Sequence, residues 1–198
     1  MGLSLKKGQA LSLVKQDGKS LTQIRLGLGW DAVVPTTRGF FGKTKTTAID
    51  IDLDASAILF DVNRQPLEIV FYNQLKSKDA SIRHTGDNLT GDGDGDDETI
   101  EVNLASVSPA VAHIVFVITS YSQQSFDSVE NAFCRVIDDS VSTSPEVANY
   151  QLTESGPYTA MVMAKLFRVG SAWSFQALGI PAHGKTPHDV VHAAAAAL

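Results

Sequence analysis

Residues 48–55 read AIDIDLDA, and from Ile49 onward they alternate between apolar and acidic side chains. A period of two is the pattern of a β-strand, in which successive side chains point to opposite faces. Ile49, Ile51 and Leu53 fall on one face and Asp50, Asp52 and Asp54 on the other, with the like charges about 7 Å apart along the strand. Such a face either meets water, where screening makes it cheap, or is aimed at a cation.

The same period runs through the chain. Residues 21–28, LTQIRLGL, set Leu21, Gln23, Arg25 and Gly27 against Thr22, Ile24, Leu26 and Leu28. Further strands are expected at 67–73, 98–104, 113–121, 132–138, 158–168 and 171–178, several of them rich in β-branched and aromatic residues. Two stretches read as helix. One is SFDSVENA (125–132), with a Ser cap. The other is TPHDVVHAAAAAL (186–198), with Thr186 as N-cap, Pro187 in the first turn and an alanine-rich body. Residues 35–47 are basic and glycine-containing and read as a loop between strands. With no composition break, the expectation is one domain over residues 1–198: mainly β, a two-sheet β-sandwich with short helices and a C-terminal helix.

Charge directs attention to GDNLTGDGDGDDE, residues 86–98. Six carboxylates stand there, at Asp87, Asp92, Asp94, Asp96, Asp97 and Glu98, with no lysine or arginine among them. The chain has 16 basic and 22 acidic residues. Without those six the two signs balance, so the formal excess of −6 sits in this one segment. Alternating glycines let neighbouring carboxylates and carbonyls turn toward one point. Calcium suits such an arrangement, because it takes roughly six to eight oxygen ligands in flexible geometry; magnesium, which keeps more water, is second choice. Zinc, copper and iron call for the histidine or cysteine that the segment lacks. An EF-hand begun at Asp92 puts Asp97 where the turn glycine belongs and Asn103 where the bidentate glutamate belongs, so that template fails. The nonapeptide calcium repeat needs stacked copies and the chain has one. Direct phosphate binding fails too, since aspartates stand where a phosphate loop has lysine.

Composition excludes other classes. Net acidity with scattered bases argues against nucleic acid as a partner. No run approaches the roughly 20 apolar residues of a membrane span, and the N-terminus lacks a secretory apolar segment. The single Cys134 forms no internal disulfide and no dithiol pair, which together with the missing secretory segment reads as a cytoplasmic protein. No G-x-S-x-G elbow supports hydrolase chemistry. His188 and His192 have helical zinc spacing without a third ligand, so exposed helix positions are the simpler reading. His84 reads as a structural hydrogen-bonding group, Cys134 as a small buried hydrophobe, and Trp30 and Trp173 as core.

GLGWD (27–31), DIDLDASAILFD (50–61), FYNQLKSKDASIRHTGDNLTGDGDGDDE (71–98), NAFCRVID (131–138), TAMVMAKLFR (159–168) and GKTPHDVV (184–191) closely resemble the TerD family of tellurium-resistance and stress proteins, over nearly the whole chain. The GFFGK insertion at 39–43 is similar to the TerZ-like branch. The resemblance implies a non-catalytic β-sandwich that binds calcium, typically two ions close together. By position it implies ligands at Asp52 and Asp54, at Asp87 and Asn88, and at Asp94, Asp96, Asp97 and Glu98, with Asp31 and Asn73 contributing less directly. Asp50 and Asp92 stand outside that set. It also implies work with other Ter-family proteins near the inner membrane, a membrane-embedded Ter protein being one candidate partner. Two alternatives stay open: a metal-dependent component handling phosphate or nucleotide, and a scaffold whose calcium is structural and whose working face is the basic segment at Arg38, Lys43 and Lys45.

Overall fold

The computed structural model describes residues 2–32, 36–38, 44–46, 52–86 and 95–198. Fourteen strands are formed among these residues: β1 (Leu3–Leu5), β2 (Ala10–Ser12), β3 (Ile24–Ala32), β4 (Thr36–Arg38), β5 (Thr44–Thr46), β6 (Leu53–Phe60), β7 (Pro66–Val70), β8 (Ile82–His84), β9 (Glu98–Val102), β10 (His113–Ser120), β11 (Val129–Asp138), β12 (Glu146–Gln151), β13 (Ala160–Val169) and β14 (Ala172–Ala182). A single α-helix, α1 (Val191–Ala196), follows them.

Two six-stranded sheets carry the fold. The first has the order β1-β12-β11-β3-β9-β8 and the second β2-β14-β13-β10-β6-β7. All their pairings are antiparallel except β1 with β12. Alternation explains why the sheets face each other. Ile24, Leu26, Leu28 and Trp30 of β3 pack into one core with Leu53, Ala55, Ala57 and Leu59 of β6 and with Ile114, Phe116 and Ile118 of β10. Complete burial of each leucine or isoleucine there stabilises by roughly 1.5–3 kcal/mol. The expected β-sandwich is the observed one.

The second sheet is covered on both sides. Ile58 and Phe60 of β6, Val115 and Val117 of β10, and Ala160 and Val162 of β13 point away from the main core and form a second cluster with Val190 and Ala194. The eight residues of β6 are therefore all buried. This overturns the water-facing alternative for Asp54, which is only 3% exposed, while Asp52 is partly exposed. Residues 47–51, including Asp50 and the first half of the AIDIDLDA strand, lie outside the described residues.

Three local expectations change. The segment 125–132 is not a helix: a 3-10 turn at Phe126–Ser128 gives way at Val129 to β11, and Ser125 makes no side-chain cap. Pairing along β3 and β12 outweighs the local helical signal. The terminal helix is shorter than 186–198 and Thr186 is not its cap. Asp189 Oδ2 accepts hydrogen bonds from the Lys185 and Thr186 amides (2.9 and 2.8 Å), closing a turn before α1 starts. Finally, the segment 35–47 is not wholly a loop, because β4 and β5 pair antiparallel within it.

Candidate functional site

The described part of the acidic segment begins at Gly95 and lies against β3 and β11 of the first sheet. The register explains where its carboxylates go. Leu28 of β3 pairs with Glu98 of β9 and faces the inter-sheet core, so Glu98 points inward. Its Oε2 accepts a 2.6 Å hydrogen bond from the Ala55 amide of β6, joining one sheet to the other. His84 Nε2 lies 3.3 Å from the same oxygen, and both side chains are wholly buried. His84 Nδ1 accepts from the Gly86 amide at 3.2 Å, which makes His84 the structural hydrogen-bonding group expected of it.

Asp97 sits at the rim. The β3–β9 ladder ends at Leu28 and Glu98, and beyond it the Asp97 amide donates to Leu28 O (2.8 Å) while Asp97 Oδ2 accepts from the Trp30 amide (2.8 Å). The acidic segment thus replaces a missing neighbour strand.

Asp96 falls on the opposite face. Gly27 and Arg135 are register partners, and both point outward because Leu26, Leu28, Cys134 and Val136 point in. Arg135 Nε donates to Asp96 Oδ1 at 2.7 Å, and Nη1 lies 3.8 Å from Glu146 Oε2. The hydrogen bond to Asp96, against a smaller desolvation cost, raises the guanidinium above its usual value. Gly27 is what makes this possible: a Cβ there would come within 3.0 Å of the Asp96 carboxylate, and one at Gly29 would strike the Phe133 ring and Gly95 O. Paired glycines inside a strand mark a close approach of another segment. Gly95 itself has φ 111°, which favours glycine in the turn.

Asp31 also lies on the outer face, exposed, with Oδ2 accepting from Asn131 Nδ2 at 2.7 Å. A bulge in β11 between Glu130 and Phe133, with Asn131 at φ 54°, aims that amide. An open pocket of about 330 Å³ lies alongside, lined by Trp30, Asp31, Asp97, Asn131 and Phe133 among others. From the second sheet, Asp54 precedes the Ala55 amide held by Glu98, and Asp52 O accepts from the Tyr121 amide at 3.2 Å. Asn73 is exposed in the turn between Phe71 and Gln74.

The structure therefore places Asp97 at the rim and Glu98 between the sheets, puts Asp54 on the opposite face of β6, the face of Ile58 and Phe60, with Asp52 just before it, and sets Asp31 and Asp96 on the outer face of the first sheet. Asp87, Asn88, Asp92 and Asp94 lie outside the described residues, as does Lys43. Among the described residues, no group of three or more His, Cys, Asp or Glu side chains is arranged to hold a metal ion. The donors present are carboxylate oxygens, which suit a hard cation in chemistry. Sequence reasoning missed Arg135, Asn131 and the steric part played by Gly27 and Gly29. The glycine pair at alternate positions of a strand was the available signal for the last of these.

His188 precedes α1 and packs edge-on against Phe71 (5.3 Å between ring centres), so it shares no helix with His192. Cys134 is buried, with its thiol pushed up to about 12 by desolvation. Trp30 and Trp173 are core residues. No helix among the described residues is long and apolar enough to cross a membrane.

A β-sandwich of two six-stranded sheets with an acidic, oxygen-bearing end is the class that this geometry defines. A TerD domain matches residues 1–186, and the chain belongs to that family of tellurium-resistance and general stress-response proteins. It is similar to the tellurium resistance protein TerZ of Serratia marcescens, 42% identical over 188 residues covering 95% of this chain and 94% of the relative. It is also similar to the stress response protein SCP2 of Bacillus subtilis (strain 168), 36% identical over 200 residues covering 96% and 98%. The crystal structure of a homologue of telluride resistance protein (TerD) from Streptomyces coelicolor A3(2) matches with a TM-score of 0.67 over 87% of this chain and 96% of that one. At 21% identity that likeness speaks for the fold alone.

Proposed function

We propose that the protein is a non-catalytic calcium-binding module of the tellurite and general stress response, and that its acidic end holds calcium, two ions in the reading taken from the family. The observation that carries the proposal is the place where the aspartate-rich segment meets the sheets: Asp97 at the Trp30 amide and Glu98 at the Ala55 amide of the other sheet bring carboxylate oxygens to one end of β3. Carboxylate oxygens are the donors that calcium takes, and a divalent cation neutralises several at once. The residues proposed to hold calcium are Asp52, Asp54, Asp97 and Glu98, together with Asp87, Asn88 and Asp94, with no single ion shared by Asp54 and Glu98 across β6. Bound calcium supplies charge neutralisation. The chain's own residues supply order: Glu98 ties the two sheets through Ala55, and Asp97 continues the edge of β3. Other Ter-family proteins, including a membrane-embedded one, are the partners proposed on family grounds, with the protein placed in the cytoplasm and peripheral to the inner membrane.

Calorimetric titration of metal-stripped protein with calcium, repeated with magnesium and with the variants Asp54→Asn and Asp97→Asn, tests the reading. Saturable calcium binding that exceeds magnesium binding and weakens in both folded variants supports it. A folded wild-type protein that takes up no calcium sinks it.

A further inference from the structure

We infer that Arg135 is the positioning residue of the acidic end: it holds Asp96 on the outer face of the first sheet, and Asp96 acts as a latch for the turn and not as a cation ligand. This rests on the calcium reading above. The geometry separates the carboxylates by face. Glu98 points between the sheets to Ala55, Asp97 occupies the rim at Trp30, and Asp96 lies over Gly27 with its Oδ1 2.7 Å from Arg135 Nε. One cation cannot meet Asp96 in this position and Glu98 together, because the β3 backbone stands between them.

Arg135 is itself well placed to stay put. It is anchored in the middle of β11, opposite a glycine, and is flanked by Glu146, whose Oε1 accepts from Asn149 Nδ2 at 2.7 Å. With Asp96 tied down at Gly27 and the Asp97 amide tied to Leu28 O, the Gly95–Glu98 turn has little freedom left. A metal site whose outer contacts orient its ligands loses roughly 10–100-fold in affinity when those contacts are removed.

The opposite role is physically reasonable, and the two make opposite predictions. If Arg135 were a resident cation competing for the site, its removal would tighten calcium binding. The experiment is calcium chloride titration of the metal-stripped full chain as wild type, Arg135→Gln, Asp96→Asn and the double variant. A latch predicts that each single change weakens calcium about tenfold. The double variant should be no weaker than either, with an unchanged number of ions bound. Arg135→Lys, which keeps the charge without the guanidinium fork, should recover part of the loss and carries the comparison if Arg135→Gln fails to fold. In the metal-free protein, amide exchange at Asp97 should accelerate in Arg135→Gln while Leu26 and Val136 keep theirs, which global destabilisation would not produce. Unchanged or tighter calcium binding in Arg135→Gln overturns the latch, as do additive losses or a missing ion in Asp96→Asn. If the wild type binds no calcium, the calcium reading and this role fall together.

Discussion

Gly27→Ala sets two physical effects of opposite sign against each other. Where a strand glycine has room, alanine stabilises by about 0.4–1 kcal/mol through the unfolded chain. Gly27 has none, since its Cβ would come within 3.0 Å of the Asp96 carboxylate. That carboxylate is pinned: Asp96 holds Arg135 at 2.7 Å, and the next amide holds Leu28 O at 2.8 Å. Overpacking of this kind costs roughly 1–3 kcal/mol. Displacing Asp96 instead forfeits an ion pair whose side chains are 33% and 11% exposed, worth about 1 kcal/mol after solvent screening. Less the gain from the unfolded chain, the net is a destabilisation of about 0–2.5 kcal/mol, with a central value of about 1 kcal/mol. For a chain of this length each kcal/mol lowers Tm by roughly 2–4 °C. Thermal unfolding followed by circular dichroism in metal-free buffer measures it, and repetition in saturating calcium should show a smaller gain from the ion than in wild type. A raised Tm would refute the idea that glycine is there to seat the acidic turn.

Glu98→Ala should leave the Ala55 amide buried without its acceptor and cost about 1–3 kcal/mol, while Glu98→Gln, which keeps a carbonyl oxygen, should cost less; urea unfolding separates them, and equal midpoints would count against the inter-sheet bond. Asp79 gives a pH signature. Burial alone would raise its pKa, but hydrogen bonds from Ser81, Ser77 and the Ser108 amide outweigh burial and hold the carboxyl at about 2. Its folded-state pKa is therefore depressed, so its stabilisation is present above about pH 4 and is lost as pH falls toward about 2; Asp79→Asn should flatten the melting temperature across that window, and an unaltered acid limb would contradict the assignment. Cys134, buried with its thiol near 12, should react with a thiol reagent only at the rate of unfolding, and prompt labelling of native protein would show that β11 opens locally.

The long strands were legible because their own residues carry the evidence. β10, β13 and β14 are apolar runs bounded by turns, and the expected segments 113–121, 158–168 and 171–178 overlap them closely. Three-residue strands such as β1, β2 and β8 carry too little pattern to announce themselves, and their existence is decided by partners distant in sequence. The same divide runs through the site. The acidic residues could be found from local sequence, and so could the hard-cation chemistry they suit. Their sorting by face could not, because it depends on the pairing of Leu28 with Glu98 and of Gly27 with Arg135. The helix expected at 125–132 failed for a related reason: Val129–Asp138 gains two ladders as a strand, which eight residues of helical propensity do not match.

The first dozen residues have a temporal meaning. β1 lies alongside β12, pairing Leu3 with Ala148, and β2 seals the second sheet by pairing Leu11 with Phe175. During synthesis β1 and β2 therefore cannot pair until β12 and β14, far along the chain, have left the ribosome. Such distant pairings place the domain among the slower folders, on the scale of milliseconds to seconds. Because each N-terminal strand covers an otherwise open sheet edge, a chain caught before that closure offers β12 and β14 to any neighbouring chain. For a protein of a stress-response family, the moment of greatest exposure to aggregation comes at birth.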